Sequence, residues 1–229
     1  MAAENTFDDK AATWDQNPGH QQSTSIAAEA LKGSGLLHPG STAVLDLGCG
    51  TGLLAEKIAD SLGALVGVDT SPGMIAAFQR KAEARGDGKL RCVLAELTGP
   101  ESLTSSTPAD GGAAVPEQYD LAISLMTFHH IQDIAGTLRL LKHHLKPGGS
   151  VAIFDLLATP ASIRFHSPAH SHGLFHRGGF SLQEMEQHLT EAGYTAVEAR
   201  AVGSLQKAAF DGEGEMLEFQ LFMATATAG

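Results

Sequence analysis

No run of about 18 apolar residues occurs anywhere in the chain, so nothing in it reads as a membrane span. Basic residues are scarce: 15 lysines and arginines stand against 26 acids, giving a net charge of −11 with no Lys/Arg cluster. Such a surface repels phosphate backbones, which disfavours nucleic acid as a partner and favours small-molecule chemistry. Cysteine is nearly absent. Cys49 lies in a glycine-rich loop and Cys92 in an expected strand, and neither placement suits a disulfide or a zinc site, so no metal is expected. The first ten residues, Met1 to Lys10, are polar and acidic and lack the pattern of a signal peptide, so a cytoplasmic protein is expected. With 229 residues and 43% hydrophobic content, the chain can bury one core as a single domain over 1–229.

What the sequence does have is Val44-Leu45-Asp46-Leu47-Gly48-Cys49-Gly50-Thr51-Gly52: an apolar strand, an acid, then glycine at alternate positions before a helix-forming run. Glycines permit a tight turn and let a ligand lie against bare peptide groups, and the following helix presents its N-terminal N–H groups to the same crevice. A dinucleotide fingerprint, Gly-x-Gly-x-x-Gly, would need glycine where Leu53 stands. Asp46 would repel a pyrophosphate but attract a cationic amino group.

Apolar runs alternate with helical patterns, which points to a parallel sheet covered on both faces. Strands are expected near 42–47, at Ala64–Asp69, Leu90–Leu97, Tyr119–Met126 and Ser150–Leu156, then at Tyr194–Val202 and Met216–Thr225. Helices are expected over His20–Lys32, lying above the site, from Gly52 to about Leu62, from Ser71-Pro72 to Arg85, over Asp133–Leu145, and from the capping-box Ser181 to Gly193. Lys146-Pro147-Gly148-Gly149 reads as a tight reversal and Thr98–Gln118 mostly as loop. Asp69, at the tip of the second strand, can accept both hydroxyls of a ribose, with Thr70 beside it.

The acidic-x-Gly-x-Gly-x-Gly motif at Asp46–Gly52 resembles that of the class I S-adenosylmethionine (SAM) methyltransferases, in particular the small-molecule, type 11/12-like members. The likeness runs over about residues 5–227 by motif order. It implies an α/β fold: a three-layer, Rossmann-like, seven-stranded sheet in the order 3-2-1-4-5-7-6, mostly parallel with the last strand antiparallel. It also implies that Asp46, Gly48, Cys49, Gly50 and Gly52 hold the methionine end of SAM, and that Asp69 and Thr70 hold the ribose. Glu96 would meet the adenine amino group, with Leu97 or Ala95 supplying a backbone contact, and Leu125 would close strand four beside the methyl. Phe7-Asp8-Asp9-Lys10 and Ala12-Thr13-Trp14-Asp15 resemble the N-terminal signature of the small-molecule members. They imply that this segment, within a lid over 1–35, closes over SAM with Trp14 on the cofactor; the Asn17-Pro18-Gly19 break reads as a hinge, and a tryptophan anchoring a terminal helix to the core is the alternative for Trp14.

Phe128-His129-His130-Ile131 follows strand four, where the acceptor belongs, so His129 or His130 is a candidate base or a structural hydrogen-bonder. His166, His170, His172 and His176 populate an irregular segment over 158–180, read as a substrate-side loop with His176 as a candidate contact. The absence of Asn/Asp-Pro-Pro-Tyr disfavours nucleobase and glutamine amides as acceptors. Methyl transfer to a small molecule with an O, N, S or C nucleophile is therefore expected. A SAM-binding regulatory protein, a protein methyltransferase and an NAD-type oxidoreductase are the other readings, and the oligomeric state stays open.

Overall fold

Alternate residues of the first strand enter two different cores. In β1 (Ala43–Leu47), Val44 packs with Leu65, Cys92, Leu121 and Ala152 on one face, and Leu45 packs with Val66, Val93, Ala122 and Ile153 on the other. That two-residue period is the signature of a sheet covered on both sides. The computed structural model describes residues 6–103, 115–166, 177–210 and 214–229.

The strands are β1, β2 (Ala64–Asp69), β3 (Leu90–Leu94), β4 (Tyr119–Leu125), β5 (Leu145–Leu156), β6 (Tyr194–Ala208) and β7 (Met216–Ala228). They form one sheet in the order β3-β2-β1-β4-β5-β7-β6, with β7 antiparallel to both of its neighbours and every other pairing parallel. This is the expected topology. The helices are α1 (Thr6–Lys10), α2 (Pro18–Lys32), α3 (Leu53–Ile58), α4 (Pro72–Arg85), α5 (Ile134–His143) and α6 (Leu182–Glu191). Residues of α2, α3 and α4 join the core on the Val44 face, those of α5 and α6 the core on the Leu45 face. The sheet is thus the middle of three layers.

Caps set the helix boundaries. Ser71 accepts from Met74 N–H ahead of α4, and Gly86, at φ 69°, ends that helix. Ser181 caps α6 through Glu184 N–H. Four local expectations need correction. The Asn17-Pro18-Gly19 break is an N-cap: the Asn17 side chain accepts from Gly19 N–H at 2.9 Å and α2 begins at Pro18. The helix after Gly52 gives way at Ala59 to a 3-10 turn. β3 ends at Leu94 because β2 ends at its partner Asp69, which leaves Glu96 beyond the ladder. Lys146–Gly149 is a bulge within β5, where Tyr119 pairs with Leu145 but Leu121 already pairs with Ser150.

Between β1 and β4 the order reverses direction, with β2 and β3 laid to one side and β4 and β5 to the other. Such switch points leave a crevice at the carboxyl ends of the strands.

Candidate active site

β1 delivers Asp46 to that crevice, 2% exposed, and its Oδ2 has no hydrogen-bond partner among the described residues. Burial, and then the charge of Asp69, push its carboxyl up to about 7. The three loop glycines do different jobs. A Cβ on Gly48 would lie 2.2 Å from Thr127 Oγ1, and one on Gly52 would lie 2.7 Å from the Phe78 ring. One on Gly50 would meet nothing nearer than the Met74 sulfur at 3.9 Å. Packing therefore requires the first and third glycines, whereas Gly50, at φ 53°, keeps a bare backbone beside open space.

Asp69 stands at the neighbouring strand end, its Oδ2 accepting from Gly50 N–H and its Oδ1 from Ser71 N–H, both at 2.9 Å. A carboxylate offers about four lone-pair sites, so each oxygen can take one more donor. Burial raises its pKa, opposed by those N–H groups. The Cys49 side chain turns inward against β2, where a Cβ on Gly67 would strike its sulfur, and burial and the adjacent acids push its thiol up. Thr70 is exposed, while Leu125 and Leu97 pack against the core. Glu96 is exposed at an open cavity of about 430 Å³ lined also by Ala95, Thr98 and Glu101. A second cavity, about 160 Å³ between Ser34, Glu198 and Thr225, contains none of the expected site residues.

The N-terminal segment is tied to the same crevice by acids to which the sequence analysis gave no role. Asp8 Oδ1 accepts from the Ser71 hydroxyl and from Gly73 N–H at 2.8 Å. Asp15 accepts from Thr51 Oγ1 at 2.5 Å and pairs with Lys81, which also reaches Glu56 at 2.8 Å. Trp14 stacks on His20 at 3.8 Å, and Phe7 packs edge-on to both Trp14 and His130. Beyond Asn17 the character changes: Ala27, Ala28 and Leu31 of α2 are buried in the core.

The other wall begins at Met126, a non-glycine residue at φ 55° that swings the chain out of β4 into the 3-10 turn Phe128–His130. Here the fold brings together residues far apart in sequence. His129 is 1% exposed; its Nδ1 lies 2.7 Å from Asp155 Oδ1, its backbone N–H donates to Asp155 Oδ2 at 3.1 Å, and its Nε2 lies 2.9 Å from Nε2 of His166. Asp155 is fully buried on β5 and also accepts from Leu156 N–H. Its oxygens already accept backbone N–H groups, so Nδ1 is the donor to it, and in the neutral imidazole that leaves the lone pair on Nε2. His130 and His166 are half-buried beside it. Asp155 was missed in the sequence because it reads as one more residue of a strand. His170, His172 and His176 lie outside the described residues.

The family of the methyltransferase domain matches residues 19–199. The chain belongs to the class I SAM-dependent methyltransferases. An uncharacterized methyltransferase of Schizosaccharomyces pombe is 26% identical over 147 residues, 62% of this chain and 49% of that protein. A ubiquinone biosynthesis O-methyltransferase of Azorhizobium caulinodans is 32% identical over 119 residues, 52% of this chain and 42% of that protein. The chain thus spans about half the length of these curated relatives. Among solved structures, phosphoethanolamine N-methyltransferase 2 of Haemonchus contortus in complex with SAM superposes with a TM-score of 0.64 at 17% identity, covering 95% of this chain and 56% of that one. A SAM-dependent methyltransferase from Aquifex aeolicus gives 0.62 at 20%, covering 97% and 98%. These likenesses speak for the fold. SAM is the methyltransferase cofactor, and the crevice fits it: the orphan oxygen of Asp46 lacks the cation that an amino group would bring, and Gly50 leaves room against bare backbone.

Proposed function

We propose that this methyltransferase acts on a small-molecule acceptor held between the Phe128–Ile131 segment and the chain that follows β5. The observation that carries the reading is the buried Asp155–His129 pair, which aims the imidazole Nε2 toward His166 beside the turn that follows β4. SAM supplies a methyl group already activated by its sulfonium. Asp46 binds the amino group, Asp69 the ribose hydroxyls and Glu96 the adenine edge, and residues 6–16 close over them with Trp14. Gly48, Cys49, Gly50 and Gly52 offer backbone, and Thr70, Leu97 and Leu125 line the walls. Aligning donor with nucleophile and excluding water does most of the work. His129 Nε2 takes the proton of an acceptor that arrives protonated, with His130 as the alternative base; His176, outside the described residues, is the candidate acceptor contact. The ubiquinone biosynthesis O-methyltransferase and the phosphoethanolamine N-methyltransferase among the similar proteins support a small acceptor and leave its nucleophilic atom open.

The test is S-adenosylhomocysteine release with a panel of small hydroxyl, amine and thiol compounds. One class should turn over, and His129→Gln should lower that turnover by about 10²–10⁴-fold while SAM binding stays near wild type. SAM binding with no turnover on any panel member, but with methylation of a protein substrate, would reject the small-molecule reading. Tight NADH binding without SAM binding would reject the whole assignment.

A further inference from the structure

The expectation of no metal rested on the two cysteines, with the histidines after β5 read as one irregular loop. The fold sorts them differently. His129 and His130 come from the turn after β4 and His166 from the chain after β5, and one ligand nitrogen from each lies within 4.8 Å of the other two. The rings sit close, with centroids 4.1 Å apart for His129 and His130 and 4.9 Å for His129 and His166. We propose that His129, His130 and His166 form a binding site for one divalent transition-metal ion of the zinc class.

Three features argue for it. The first is the ligand chemistry. Three imidazoles with no oxygen donor among them select zinc, cobalt, nickel or copper over magnesium and calcium. The second is the support behind the ring. Metal-bound histidines typically donate their other ring N–H to a carboxylate, and Asp155 does this for His129 at 2.7 Å while two backbone N–H groups hold it still. The third is the spacing. Two nitrogens bound at about 2.0–2.1 Å in a tetrahedron lie about 3.3 Å apart, so the 2.9 Å contact between His129 and His166 need open only slightly. Three protein ligands leave one coordination position for water or for an acceptor atom.

The site shares His129 and His130 with the proposed reaction, so its consequence for turnover rests on that reading, whereas metal binding itself does not. The lone pair that would take a proton is the one that binds the metal, so occupancy and base action exclude each other.

Untagged protein, freed of metal by chelation, is titrated with Zn²⁺ by calorimetry and with Co²⁺ by visible absorption. One equivalent should bind, with the absorption of a tetrahedral Co²⁺ site. His166→Ala and His130→Gln should abolish it while keeping their melting transition and SAM binding, Asp155→Asn should weaken it by about 10–100-fold, and His143→Gln, exposed on α5, should retain it. Failure to bind one equivalent, or one equivalent persisting in both cluster variants, overturns the site. The turnover arm uses the acceptor found in the panel. Zinc that binds and suppresses turnover, reversed by chelation, supports both readings. Zinc that binds and leaves turnover unchanged removes His129 as the base and leaves the metal site standing.

Discussion

The two walls of the crevice treat buried charge in opposite ways. On the β1–β2 side, Asp46 is buried with one oxygen unpartnered among the described residues, and Asp69 beside it adds like charge. On the β4–β5 side, Asp155 is buried just as deeply, yet its oxygens accept from the His129 ring and from the backbone N–H groups of His129 and Leu156. An unsatisfied buried carboxylate is costly and stays in a fold only where something else compensates. The carboxylate of the first wall thus still wants a cationic partner, whereas that of the second is satisfied by its own chain. Their variants should therefore move stability in opposite directions.

The largest effect expected is at Asp155. Asp155→Ala strands three donors in the interior and should cost about 3–5 kcal/mol in chemical denaturation. Asp46→Asn should leave the ligand-free protein as stable as wild type, or more so, at pH 8. If both variants lose stability equally, the contrast between the walls is broken.

Next come the glycines. Gly48→Ala should cost about 2–4 kcal/mol, combining the left-handed backbone with the clash against Thr127. Gly50→Ala should cost only about 1–2 kcal/mol of backbone strain while impairing SAM binding, measurable by thermal melting and calorimetry. Equal losses of stability would mean that Gly50 is also a packing glycine.

The third test is pH. The folded carboxyl of Asp46 sits near 7, above its unfolded value, so its contribution to ligand-free stability is full at low pH and is lost as pH rises through 7. A bound amino group favours the ionised form. SAM binding should then release a proton below pH 7, and affinity should fall by up to tenfold per pH unit in that range. Calorimetry in buffers of differing ionisation enthalpy measures that proton, and Asp46→Asn should lose it.

The smallest effect belongs to the N-terminal segment. Asp8→Ala removes hydrogen bonds to Ser71 and Gly73 and should cost about 1 kcal/mol or less, while proteolysis between residues 6 and 16 accelerates in the absence of SAM. Trp14 is the sole tryptophan, so its emission should change when SAM binds. Unchanged emission and unchanged cleavage with and without SAM would mean that the segment is a fixed part of the wall.

The glycine-loop wall proposed to hold the cofactor was legible in the sequence as a turn because it is local. Asp46, Gly48, Gly50 and Gly52 lie within one strand-to-helix turn, Asp69 ends the next strand, and caps such as Ser71 and Ser181 mark their own helices. The topology also followed, because alternating strands and helices permit few chain paths. Sequence fell short where the deciding contact was distant. Asn17-Pro18-Gly19 carries the composition of a hinge, and only the packing of Ala27, Ala28 and Leu31 shows that the helix it begins is core. The tip of β3 stops where its neighbour stops, which no residue within β3 announces.

The sequence alone determined the class of the protein and the order of its sheet, because turn geometry, helix starts and the two-residue period are encoded in neighbouring residues. Only the tertiary structure decided which histidines lie together. Asp155 reaches His129 across the β4–β5 pairing, and His166 returns to them after a separate turn. Their distances are set by strand register and chain path, which spacing along the chain does not carry.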